Sequence, residues 1–155
     1  MKIHAHLVKI ERLGRQRAKL DRIRDCEMWY WATLNAGVHA MNAALHAIGA
    51  THDGPWFAHN VPIYHVAGRK PGTWQAELKP LGDIEHVDSP EMEAVIPKAL
   101  KKAGQALRKM EHLREPILRG DAKVSPAMLD RMDRLFKECL EITAQVIMRS
   151  ERAGR

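Results

Sequence analysis

Four polar side chains, Asn35, His39, Asn42 and His46, recur at spacings of four, three and four. At 100° per residue on an α-helix, they fall within about 60° of arc and share one edge. Two amides and two imidazoles on one edge can line a ligand pocket, read a nucleic-acid edge or supply nitrogens to a metal. The same stripe can also hydrogen-bond to neighbouring helices or across a dimer seam, where buried polar groups fix register. His39 and His46 lie seven residues apart, about two turns, too far to share one ion without a ligand from another element. His52, His59, His65 and His86 follow and could complete a site, in a chain with nine histidines. The ligand-binding candidates are therefore Asn35, His39, Asn42, His46 and His52. No carboxylate accompanies them on their helix, as a di-iron bundle would require. GxSxG, Walker A, GxGxxG and HExxH are all absent, so no cofactor, metal or catalytic residue is assigned by motif.

The element carrying this stripe has no Asp, Glu, Lys or Arg from Met28 to His52. Its amides and imidazoles would be costly in lipid, which favours a buried central helix over a membrane span. Trp31, Leu34, Val38, Met41, Leu45 and Ile48 form a core-facing stripe. On the other side lie Ala32, Thr33, Ala36, Gly37, Ala40, Ala43, Ala44 and Ala47, small enough for close approach by another helix of the chain or by a second subunit. A homodimer is one expectation. Before this helix, Ile3, Leu7 and Ile10 predict a short helix whose register fails near Gly14, and Leu20 and Ile23 lead into the long one.

The helical pattern stops between residues 50 and 89, where glycine and proline concentrate. Ile63–Val66 and Thr73–Lys79, flanking GRKPG, predict a small β-hairpin within this insertion. Ser89-Pro90-Glu91 reads as a helix start, continuing to about Glu115 with a kink at Pro97, and Ser125-Pro126 starts a last helix that runs nearly to the end. The fold expected is all-α, an antiparallel four-helix bundle over residues 1–155 as a single domain, with the long insertion between its second and third helices.

The two cysteines, Cys26 and Cys139, have neither zinc-finger spacing nor a disulfide pattern, and the N-terminus lacks an unbroken apolar stretch. A cytoplasmic protein without membrane association is expected. The net charge of +6 resides in residues 1–24; the remainder balances. Arg12, Arg15, Lys19 and Arg22 are the candidates for phosphate contact, although no aromatic residue is interleaved for base stacking, and a solvated helix face explains the charges equally well.

Tyr30-Trp31-Ala32, His39-Ala40, Ala43-Ala44-Leu45, Gly49 and Thr51-His52-Asp53-Gly54 resemble the central helix and following turn of HEPN domains. Those are helical bundles, often dimeric, found with nucleotidyltransferases, in toxin–antitoxin pairs and in RNA-cleaving defence proteins. HEPN ribonucleases carry an Arg followed after four to six residues by His; the nearest string here, Leu34 to His39, has leucine in place of the arginine. The resemblance thus implies a non-catalytic, dimeric member that binds a nucleic acid, a nucleotide or a protein. The enzymatic alternative is a histidine-dependent hydrolase or nuclease, with or without metal. A third reading is an assembly protein without a small ligand.

Overall fold

A computed structural model of the chain describes residues 1–52, 63–78, 83–84, 87, 94–119 and 124–154. Most of them are helical. Among them are α1 (Ile3–Arg17), α2 (Cys26–Ala47), α3 (Lys101–Glu111) and α4 (Pro126–Ala153), with a two-stranded hairpin of β1 (Ile63–Ala67) and β2 (Trp74–Leu78) between α2 and α3. The strands are antiparallel, with Tyr64 opposite Glu77 and Val66 opposite Gln75. Gly72, at φ +74°, supplies the left-handed backbone that the connecting turn needs.

α2 is the axis. α1 and α4 pack against it, and α3 packs on α4 and α2. The Ala-rich face is covered by helices of this same chain, so it does not supply a dimer seam. A Cβ placed at Gly37 would stand 2.6 Å from Leu107 Cδ2, and one at Gly104 would stand 2.7 Å from Ile96 Cδ1. Glycine at position 37 therefore lets Leu107 of α3 close on α2, and glycine at position 104 makes room for Ile96 against α3. Tyr30, Met41, Leu45, Leu100, Leu107, Met110, Leu129 and Met132 are fully buried around this contact. Trp31 is only half-buried and Ile48 is exposed, so the apolar stripe frays at both ends.

Three boundaries depart from the pattern in the sequence. α1 continues through Gly14 to Arg17, because one interior glycine costs only about 1 kcal/mol relative to alanine and packing against α2 offsets it. Leu20 and Ile23 lie in the link, and α2 begins at Cys26. Pro97 does more than kink a helix. With φ −54° and ψ 143° it is extended, and only a 3₁₀ turn, Lys98–Leu100, leads from it into α3. Proline lacks the N–H an α-helix interior needs and crowds the preceding turn. The start expected at Ser89-Pro90 lies outside the described residues. The last helix starts as its sequence directs: the Ser125 hydroxyl accepts from the Met128 N–H, with Pro126 at the first helical position.

Arg17 ties the first helix to the body. Its guanidinium stacks over Trp29 and Phe136, donates to Thr33 Oγ1 at 2.7 Å and pairs with Asp133. Arg22 reaches Asp130 at 2.7 Å, and Arg15 pairs with Glu11 on its own helix. Two of the four basic candidates are thus engaged within the chain, while Arg12 and Lys19 are exposed. Among the described residues no helix is long and apolar enough to cross a membrane.

Both cysteines are free. Burial, with Glu138 nearby, pushes the Cys139 thiol up to about 12, leaving almost no thiolate at neutral pH. A thiol-specific disulfide reagent is expected to modify only the half-buried Cys26 in native protein, and both cysteines after unfolding in denaturant. Equal rates for both in the native state would contradict the packing of Cys139 against Gly37.

Candidate functional site

A cluster of polar side chains is built from α1, α2 and the segment following the hairpin. α1 has one fully buried residue, His6, on the side that faces α2. Its ring lies between those of His39 and His46, with centroids 5.2 and 5.3 Å away, and so fills the two-turn gap between them. His6 Nε2 is 3.2 Å from Asp83 Oδ1, and His46 Nε2 is 3.0 Å from the same oxygen. On their other sides, His6 Nδ1 meets His39 Nδ1 at 3.0 Å and His46 Nδ1 meets Thr51 Oγ1 at 2.8 Å. The amine of Met1 also donates to Asp83 Oδ1, at 2.8 Å.

Local backbone explains how these groups arrive. α2 ends in a turn in which Gly49 takes φ +69°, while the N–H groups of Gly49 and Ala50 donate to the carbonyls of His46 and Leu45. That turn folds Thr51 back, buried, against His46. Asn42 fixes the incoming segment: its Nδ2 donates to Ile84 O and its Oδ1 accepts from Ile84 N–H, both at 2.7 Å. Ile84 is buried, and Asp83, the residue before it, is thereby held over the histidines with a side chain 20% exposed.

The polar stripe on α2 therefore divides into three roles. His39 and His46 enter the cluster. Asn42 is a structural clamp that serves the cluster through backbone. Asn35 is exposed, donates to Trp31 O of its own helix and lines a groove with Leu13, Leu20 and Met28. His52 is also exposed, and no contact joins it to the cluster among the described residues. The members not anticipated are His6, Asp83 and Thr51. His6 could have been found as the histidine of α1 in phase with Ile3 and Ile10, whereas Asp83 sits in a stretch without periodicity.

Burial dominates the electrostatics. It pushes His6 down from 6.5 to about 4; Asp83 opposes this, while His39, His46 and the Met1 amine add to it. His39 is lowered too, by burial and then by Lys9. For Asp83, burial alone would raise the carboxyl, but hydrogen bonds from the Met1 amine and His46, together with the His6 charge, hold it below the usual carboxylate range.

A pH dependence of stability follows for chelator-treated protein. As pH falls below 6.5 the unfolded chain protonates His6, whereas the folded chain resists until about 4. Native stability is thus complete above the unfolded value and is lost across that window as pH falls, by on the order of 3 kcal/mol. Urea unfolding at neutral pH and near the bottom of the window checks this, and His6→Gln is expected to flatten the difference.

His6, His46 and Asp83 each offer one ligand atom, all within 4.8 Å of one another. Two neutral imidazoles and a carboxylate form a donor set suited to a divalent transition ion. Comparison with known proteins gives no matching family model, no matching curated protein and no matching solved structure.

Proposed function

We propose that this chain is a divalent-metal protein with hydrolytic chemistry, built on an antiparallel four-helix bundle, in which His6, His46 and Asp83 hold one ion. The supporting observation is their convergence from three separate elements. Their separations of 3.2 and 3.0 Å across Asp83 Oδ1 are close to the roughly 3.3 Å edge of a tetrahedron with bonds of ~2.0–2.1 Å. Three protein ligands would be the number that catalytic rather than structural zinc sites use. An ion held by these three residues would supply Lewis-acid polarisation and a water acidified towards neutral pH, the chemistry that ester or phosphodiester hydrolysis needs. His6 and His46 are buried while Asp83 and His39 are partly exposed, so a substrate would approach from the side of the latter pair.

Native mass spectrometry before and after chelation, followed by zinc or manganese titration and a phosphodiester hydrolysis assay, tests the reading. One ion per chain and metal-dependent turnover are the expected results. Absence of any ion at saturating metal would leave the cluster as a clasp in which the Met1 amine pairs with Asp83 and two imidazoles hydrogen-bond to it.

The exposure of Arg12 and Lys19 favours a second reading, in line with the HEPN resemblance: a homodimeric bundle that binds RNA, another nucleic acid, a nucleotide or a protein. Salt-dependent binding of labelled single-stranded RNA, weakened by Arg12→Glu with Lys19→Glu, would support it.

A further inference from the structure

The two buried imidazoles of the cluster face Asp83 with the same nitrogen, Nε2, and each has its other nitrogen engaged. A neutral imidazole carries one proton, so a ring that offers Nε2 to an ion must carry that proton on Nδ1. Each Nδ1 has an acceptor waiting. Thr51 Oγ1 can accept from His46, and His39 Nδ1 can accept from His6 when His39 keeps its own proton on Nε2. The side chains of His6 and His46 are 0% and 2% exposed, so bulk water cannot take over these acceptor roles.

Resting on the metal reading above, we infer that His39 and Thr51 are positioning residues: they fix the rings of His6 and His46 and accept their Nδ1 protons when both Nε2 lone pairs are offered to one ion. The site they prepare, two imidazoles and a carboxylate, selects a late first-row ion of the zinc, cobalt or nickel class over magnesium or calcium, which require oxygen ligands. The same contacts also serve the ion-free state. With the protons on Nε2, both rings donate to Asp83 and accept at Nδ1, from the Thr51 hydroxyl and from His39. Ion entry would exchange two N–H···O contacts for two metal bonds without either ring turning, each ring releasing its Nε2 proton and taking one up at Nδ1 so that both remain neutral. This gives His39 a place in the site although it lies outside the ligand triad, and it accounts for the turn at Gly49 that returns Thr51 to α2.

The experiment uses the full chain, chelator-treated, with Co²⁺ alone as the probe, and its visible absorption as a report on coordination. Thr51→Val keeps the shape of the side chain and removes the acceptor; His39→Ala removes the other. Each is expected to weaken Co²⁺ binding roughly 10–100-fold and to alter the spectrum. Thr51→Ser is expected to restore both. Excess Mg²⁺ is expected not to displace Co²⁺ from the wild-type protein. Wild-type affinity and spectrum in both Thr51→Val and His39→Ala, with binding lost in His46→Ala, would overturn the positioning role and leave the metal site standing. Displacement by Mg²⁺ would overturn the assigned class of ion. A wild-type chain that binds no Co²⁺ would remove the metal reading and this inference together.

Discussion

His46→Ala is expected to reduce zinc affinity by two orders of magnitude or more, whereas His52→Ala leaves it unchanged. The two histidines are close in sequence, yet only His46 directs a ring nitrogen to Asp83, at 3.0 Å, and it does so from a side chain 2% exposed. Removing it leaves one imidazole and one carboxylate, too few to hold a transition ion against water. His52 is exposed beyond the turn that ends α2. Competition with a zinc-sensitive dye measures both variants. Hydrolytic turnover, where metal supports it, is expected to fall in parallel with zinc occupancy. Equal affinity in the two variants would disprove the assignment of His46 as a ligand.

The second large effect is expected at a residue that touches no ion. Asn42→Leu removes both hydrogen bonds to the backbone of Ile84, leaving a buried N–H and a buried carbonyl without their partner. Each orphaned group costs about 1–3 kcal/mol, so a loss on the order of 3 kcal/mol is expected in urea unfolding, even though leucine is the more apolar side chain. The variant is also expected to bind zinc more weakly, because Asp83 directly precedes the residue that Asn42 holds. Asn42→Asp retains the acceptor only and is expected to fall between Asn42→Leu and the wild type. A Leu variant that unfolds like the wild type would mean that the Ile84 segment is held by other contacts.

The helical part of this architecture was legible because helices announce themselves locally. The charge-free run from Met28, the Ser125-Pro126 start and the glycines that punctuate residues 50–89 each act within a few residues of themselves. The stripe of Asn35, His39, Asn42 and His46 was legible for the same reason, as one edge of one helix. Its division of labour was not. Whether an amide on that edge meets solvent, like Asn35, or the backbone of residue 84, like Asn42, depends on which segment returns to it, and no local pattern records that. Asp83 and His6 come from 37 residues after and 40 residues before His46, so the site exists only in three dimensions. Pro97 shows the complementary error, since helical periodicity on both sides suggested continuity through a residue whose chemistry breaks it.

The clamp at Asn42 also bears on how the chain between α2 and Asp83 can vary. That chain is fastened at one end by Thr51 on His46 and at the other by Ile84 on Asn42, so its two ends are fixed independently of the number of residues between them. The entropy of closing such a loop grows only logarithmically, by about 0.6 kcal/mol for each doubling of its residues. Strands could be shortened, extended or exchanged for another module between those anchor points at small thermodynamic cost, with the imidazoles and the carboxylate left in place. The molecule thus separates a fixed anchor, Thr51 on His46 and Ile84 on Asn42, from an intervening length of chain that the anchor does not constrain.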